Sequence, residues 1–530
     1  MEVTVITGPE RLSLINRLTE GAPSLWSPHW LPRPLSIALV LIIVTTGIFF
    51  LILGVLGGRE MPVRHLHTFR TIEQAFNWAE CGEYGSLRQD SGIGSDFGPI
   101  ATNHDTSLRT LAEVRGGTLS GYCEHEFKTW SNEDSSLFYF FSFLLKLSPG
   151  ASLNQMYLIA TALFSIVFAV TGYVIWRATK STFLSVSIVV VSAGWYVLGT
   201  LTLYMGSSVF AWPLLLLLVI LMAYALTSAI SGKMIRAIGI LVLVGLLAAF
   251  AANMRSTLLP HIPLLLVVFL ITTYFALRDT LSNSTGRNHL IGIAVLTIAF
   301  GGGYFGYQQL AIGPLKGLDD ESLTSHPVAH PIVLGLGVPP NELSEDEGLG
   351  WYDGVGIELA ERIEPGSTKN WNDYERVMWG YYFGLWQDRP LDMTRTYLIK
   401  AHTAGVSQAG HLRSLGIGWI SPLSLMPSGI ILGLVLVALS VWSLLKRLDD
   451  PLQTFLLRAL LASTVAGYAV TWVIHSTFSL YVLESPFSYV LLTVVFWWVV
   501  GNVSLRYLLR LRSSQEGKLT DVFRLVQRVW

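Results

Sequence analysis

Apolar and polar positions alternate along this chain in long blocks, without the short periods of a soluble domain. Runs of about 20 apolar residues, the helix length a bilayer core demands, lie at 35–57, 153–176, 183–203, 209–227 and 235–252. Others follow at 258–277, 290–312, 423–445, 455–474 and 482–505, so the pattern predicts ten transmembrane helices. Two long polar segments interrupt them, at 58–152 and 313–422. Short polar segments flank the whole, at 1–34 and 506–530. The expected fold class is an all-α polytopic membrane protein with two large extracytoplasmic loops.

Composition agrees with that class: 52% of the 530 residues are apolar and 13% charged, and the mean hydropathy is +0.51. The net charge of -1 excludes non-specific nucleic-acid binding, which needs a surplus of Lys and Arg. Orientation follows from where the cations sit, because short loops rich in Lys and Arg stay cytoplasmic. Arg11, Arg17 and Arg33 precede the first block; Arg177 with Lys180, Lys233 with Arg236, Arg278 with Arg287, and Lys446 with Arg447 and Arg458 fill alternate loops. All then lie on one side, with both termini cytoplasmic and both long loops outside. This implies a multi-pass protein of the inner (plasma) membrane. The first block is long enough to span and reads as a retained helix, not a cleaved signal.

Several polar stretches carry patterns of their own. Thr68 to Glu80 places Phe69, Ile72, Phe76 and Trp78 mostly on one helical face, as an interfacial helix would. Ser136 to Leu147 is apolar and aromatic but too short to cross, and is expected in the headgroup zone or as a re-entrant piece. The tail after Arg506 alternates apolar residues with Arg, as in a surface helix on an anionic leaflet. Cys81 and Cys123 both fall in the first outer loop, where an oxidising compartment would permit a bridge; two independent thiols are the other reading.

Candidate chemistry is concentrated at the outer face. Arg255 occupies a tight outer hairpin, with His261 shortly after. A guanidinium there suits a lipid phosphate or pyrophosphate, or it snorkels as a topology residue. His326 and His330 are four apart, but Pro327 and Pro331 oppose a regular helix through both. The pair reads as hydrogen-bonding or acid/base groups, or as two structural histidines of a solvated loop; no cofactor is implied, and a divalent metal would lack further ligands. Gly335 and Gly337 form a glycine pair with no strand before it, too little for a nucleotide-phosphate loop, and no P-loop, zincin or Gly-x-Ser-x-Gly pattern occurs in the loops, which argues against soluble ATP or NAD chemistry. Carboxylates near the bilayer surface are Glu60, the adjacent Glu133 and Asp134, Asp353 and Glu484. One of them would deprotonate or orient an acceptor hydroxyl. Glu133 and Asp134 equally fit an acidic first turn behind a Ser131 or Asn132 cap.

The layout resembles the GT-C superfamily of membrane glycosyltransferases: a cytoplasmic start, a long first outer loop with a helix straight after the first span, and a second large outer loop after the seventh. Glu73-Gln-Ala-Phe-Asn-Trp-Ala-Glu80-Cys-Gly82-Glu-Tyr resembles the family's first-loop helix, and Glu484-Ser-Pro-Phe-Ser-Tyr489 its late Glu-x-Arg-Tyr element. The resemblance implies transfer of a sugar from a polyprenyl-phosphate-linked donor to a glycan, lipid or protein acceptor among membrane lipids. It departs at the family's early catalytic Asp: the aligned positions are about His67 and Thr68. The base then falls to Glu60, to Glu133 or Asp134, to the second loop, or to a histidine such as His67, with Arg255, His261, His326, His330, Asp353 and Glu484 on the substrates. The alternatives are a polymerase or ligase of polyprenyl-diphosphate-linked oligosaccharides, a transporter, and an assembly subunit without activity.

Overall fold

Within hydrocarbon every backbone N–H and C=O must be satisfied inside its own segment, so long apolar blocks close into helices. The computed structural model describes residues 74–75, 77–79, 81–82, 86–87, 127–128, 135–147, 153–202, 206–254, 258–280, 286–312, 328–369, 371–414, 429–445, 450–473 and 495. Short helix α1 (Ser135–Leu147) is followed by α2 (Leu153–Thr179), α3 (Thr182–Thr202), α4 (Gly206–Ile230), α5 (Met234–Met254), α6 (His261–Thr280) and α7 (Gly286–Tyr307). A π-helical turn, Gln308–Ile312, ends α7. Then come α8 (Ala329–Gly335), α9 (Glu342–Glu347), α10 (Asp353–Ile363), α11 (Trp371–Asp388), α12 (Pro390–Ser414), α13 (Gly429–Leu445) and α14 (Pro451–Val473).

Six helices are long and apolar enough to cross a membrane: those holding Ala162–Thr179, Pro213–Ile230, Met234–Met254, His261–Asp279, Asn288–Ile312 and Pro451–Val470. The described parts of the expected spans at 183–203 and 423–445 are also helical, as α3 and α13, but their qualifying apolar stretches are shorter, Thr182–Ala193 and Gly433–Ser443. The block at 35–57 and all but residue 495 of the block at 482–505 lie outside the described residues. The protein is therefore an all-α membrane protein with six such helices among the described residues.

The bundle closes through small residues and through contacts at its ends. A Cβ added at Gly245 of α5 would stand 2.1 Å from the Phe300 carbonyl oxygen of α7, and one at Gly303 of α7 would stand 2.1 Å from that of Val242. Glycine at both places lets the two backbones touch, the usual device of helix pairs in lipid. At one end Gly292 meets Met234 and Leu277, joining the start of α7 to the start of α5 and the end of α6. The Gln453 amide donates to the Ala178 carbonyl at 2.7 Å, tying the first turn of α14 to the last turn of α2. These are the helix ends next to Arg177, Lys233, Arg278 and Lys446. One member of that cationic set is placed differently from the expectation. Arg458 is inside α14, 2% exposed, where its Nε donates to the Ser443 carbonyl at 2.8 Å and its Nη1 to the Thr272 hydroxyl at 3.1 Å. It therefore ties α14 to α13 and α6 inside the bundle, and does not belong to a loop.

The opposite end carries the polar segments. The apolar aromatic stretch forms α1, but it packs into protein instead of lying free in headgroups: Phe138, Phe141, Leu144 and Leu145 are buried. Tyr139 donates to the Ala311 carbonyl at 2.7 Å, and the Ser136 and Tyr307 hydroxyls are 2.8 Å apart, so α1 closes the end of α7. Of the expected helix at 68–80, residues 74–75 and 77–79 are helical. Gln74, Ala75 and Asn77 are buried, and Trp78 meets Phe138 edge-on at 6.1 Å, so this helix docks on α1. Ser86–Leu87 and Phe127–Lys128 pair antiparallel as β1 and β2, a two-residue ladder in an otherwise helical chain. Cys81 is disulfide-bonded; the only other cysteine, Cys123, lies outside the described residues.

Residues 328–414, expected as a loop, fold into a helical unit with its own core of Ala329, Val333, Leu336, Leu343, Leu359, Tyr374, Met378, Leu385 and Met393. Asn341 and Ser344 cap α9 reciprocally, and Gly348 ends that helix at φ 68°, a left-handed conformation that glycine adopts without strain. Arg389 at the joint of α11 and α12 reaches Asp346, Glu347 and Asp392. From there α12 runs down to pack on α13 and α14.

Candidate functional site

The motifs that stand apart in the sequence of the second polar segment meet around α8. Chain entry into α8 fits its sequence: Pro331 falls in the first turn, where its missing N–H breaks no helical bond. His330 is consequently helical and 5% exposed, not a residue of a solvated loop. Its Nδ1 is 2.5 Å from the Tyr374 hydroxyl on α11. From the other side α10 brings Gly356, where an added Cβ would stand 2.6 Å from that hydroxyl and 2.9 Å from the imidazole.

Glu375 follows Tyr374 on α11 as Ala329 precedes His330 on α8, so carboxylate and imidazole are carried by adjoining residues of both helices. Glu375 Oε1 accepts from the Ala329 N–H at 3.2 Å and from the Trp379 indole at 2.7 Å. Its Oε2 is buried and has no hydrogen-bond partner. A buried acceptor without a donor is costly in protein interiors, and such groups gather where a ligand hydroxyl or a proton is handled. The trio offers a carboxylate oxygen without a donor and an imidazole bonded to a tyrosine hydroxyl, groups of the kind general base chemistry uses. No group of three or more metal-ligating side chains occurs among the described residues.

Beyond the other end of α8 lies Lys400 of α12, fully buried. Its Nζ donates to the Gly335 carbonyl at 2.5 Å and the Val473 carbonyl at 3.2 Å, and burial pushes its pKa down to about 7. An aromatic layer surrounds it. Tyr397 lies under the amine at 5.6 Å and stacks on Trp386, shares a 2.8 Å hydrogen bond with Tyr382, and accepts from the Trp472 indole through its carbonyl. Desolvation raises the Tyr397 hydroxyl well above its ordinary value, so it stays protonated.

Of the residues singled out from sequence, the structure brings His330 together with the glycine motifs. Gly335 supplies a carbonyl to Lys400, while Gly337 lies so close to the Leu349 backbone that a Cβ would meet it at 2.7 Å. Asp353 opens α10, the helix that carries Gly356; its side chain lies outside the described residues. His261 is the first residue of α6 and 3% exposed. It belongs to the bundle, where α6 packs on α4, α7 and α14, whereas α8 packs on α10 and α11. Glu60, His67, Glu133, Asp134, Arg255, His326 and Glu484 lie outside the described residues.

Sequence reasoning passed over Tyr374, Glu375 and Lys400. A signal existed for the last: Lys400 falls at the apolar phase of α12, three residues after Tyr397 and four after the buried Thr396. Glu375 had none, since Asp373, Glu375 and Arg376 read together as a solvated face.

Comparison with known proteins adds no relative: no family model, no curated protein and no solved structure matches this chain.

Proposed function

We propose that this protein is a membrane glycosyltransferase of GT-C type, moving a sugar from a polyprenyl-phosphate-linked donor to a glycan, lipid or protein acceptor at the extracytoplasmic face. The observation that carries the reading is architectural. Between α7 and α13, residues 328–369 and 371–414 form a packed helical unit seated at the end of the apolar bundle that also bears α1 and the start of α6, away from the cationic ends of the helices. A lipid-linked donor has its phosphate at such a border, with carrier chain in the bilayer and sugar in the polar layer.

In this reading Arg255 holds the phosphate and stabilises it as it leaves the anomeric carbon, and His261 flanks it. The acceptor hydroxyl loses its proton to a carboxylate. Glu133 and Asp134 keep that role as candidates, and Glu375 joins them because one of its carboxylate oxygens is buried without a hydrogen-bond donor. His326, Asp353 and Glu484 complete the substrate contacts, and both termini are cytoplasmic.

The test is direct: protein in lipid nanodiscs, incubated with polyprenyl-phosphate hexoses and pentoses, should release polyprenyl phosphate, detected by mass spectrometry. Release abolished by Arg255→Ala, with lipid density ending in a phosphate beside that residue, supports the reading. A bundle closed to lipid, or a cavity running through to the opposite face, overturns it in favour of a transporter.

A further inference from the structure

Lys400 joins two parts of the molecule by a contact the proposed reaction does not use. Its two hydrogen-bond acceptors are the carbonyls of Gly335, the last residue of α8, and of Val473 on α14. The Gly335 carbonyl is an orphan acceptor at the negative end of a helix dipole. No carboxylate pairs with Lys400 among the described residues; the ion pairs of the unit belong to Arg376, Arg389 and Arg395.

The groups that face it from each neighbouring element supply no anion. From α11 comes Tyr382, bonded to Tyr397, and from α14 come Tyr468, donating to the Ala401 carbonyl, and Trp472. On α8 the titratable group is His330, bonded to Tyr374; on α9 they are Glu342, bonded to Arg395, Asp346 and Glu347, held by Arg389, and the exposed Glu345; α13 has none. On α12 itself Asp392 is held by Arg389, and His402 is exposed. A neutral amine has two N–H groups for two carbonyls. An ammonium has a third, for which the geometry offers only the face of Tyr397.

We infer that Lys400 is a pH-sensitive clasp holding the helical unit 328–414 to the end of α14, closed when its amine is neutral and loosened by acid. The sign follows from linkage. Docked, the dry amine titrates at about 7; undocked, it returns to water and to the ordinary lysine value of about 10.4. Between these values the undocked form binds more protons, so docking strengthens as pH rises through that window and is weakest below about 7, where the ammonium is buried at full cost. Loosening would open the border between the unit and the bundle.

Hydrogen exchange of the full chain in nanodiscs, compared at pH 6.0 and 8.5 after correction for intrinsic rates, tests this. Peptides over 329–337 and 466–473 should lose protection on the order of tenfold at the lower pH, while those of α5 and α7 stay unchanged. In Lys400→Met the two segments should keep one protection at both values. Equal wild-type protection at the two pH values, a loss spread over the whole bundle, or the same pH dependence in Lys400→Met overturns the clasp. Should that variant fail to fold, the wild-type comparison decides alone.

Discussion

Gly356 and Tyr374 approach each other more closely than any side chain at position 356 would permit, since a Cβ there would lie 2.6 Å from the tyrosine hydroxyl. That oxygen is itself the partner of His330. Gly356→Ala should therefore part α10 from α8 and α11, costing about 1–3 kcal/mol as overpacking does. Thermal unfolding of the purified protein checks the cost. Loss of the His330–Tyr374 bond should appear as a displaced imidazole ring-nitrogen signal by NMR.

Glu375→Gln keeps the shape of the side chain and the bonds from Ala329 and Trp379, but removes the carboxylate charge. If Glu375 accepts the acceptor's proton, sugar transfer should fall about 10²- to 10⁴-fold, with donor binding unchanged. A transfer rate within twofold of wild type would remove Glu375 from the reaction and leave Glu133 and Asp134.

Replacing Arg458 by Met leaves a similar volume but takes away the donors to Ser443 and Thr272. The buried Ser443 carbonyl and Thr272 hydroxyl then lose this donor, and we expect a loss of about 1–3 kcal/mol. Arg458→Lys should recover part of it, since an ammonium can serve one of the two acceptors. Detergent-resistance midpoints of the three proteins would rank them.

Gly303→Val and Gly245→Val should each push α5 from α7, because in both cases the intruding Cβ meets backbone and not a yielding side chain. Expression of folded protein should drop sharply for both. By contrast, Gly302→Ala, where an added Cβ meets nothing within 4 Å, should be tolerated.

Glu361 accepts from the Gly366 N–H at 2.8 Å and from Thr368, and these bonds hold its carboxyl below the usual range. A depressed carboxylate stabilises above its unfolded value of about 4.3 and loses that contribution as pH falls through the lower, folded value. Protection of the turn at 364–369 should accordingly fade on acidification below about pH 4, in the opposite sense to any histidine gaining a partner. In Glu361→Gln that acid limb should flatten.

The helical blocks at 153–312 and 451–473 were legible because a bilayer allows few solutions: a run of apolar residues of spanning length closes its own hydrogen bonds or is not there. The Ser136–Leu147 stretch was legible as a short apolar element, but whether it faced lipid or protein was not. That depended on Tyr139 meeting Ala311, more than 170 residues away. The segment at 313–422 was the hardest to read. Its helices α9 to α11 carry charged outer faces and modest apolar stripes, and their burial is mutual, so no single stripe announces the core.

Hydropathy and the distribution of Lys and Arg by themselves determined that this chain is a helical membrane protein with its polar mass in two segments, because burial in lipid is decided segment by segment. Which polar groups work together was decided only by the tertiary structure. His330 is separated by tens of residues from Tyr374 and Glu375, as Lys400 is from Gly335 and Val473. Their environments, an imidazole bonded to a buried hydroxyl, a carboxylate oxygen left without a donor, and an amine too dry to keep its ordinary affinity for a proton, exist only once helices from distant parts of the chain exclude water around them.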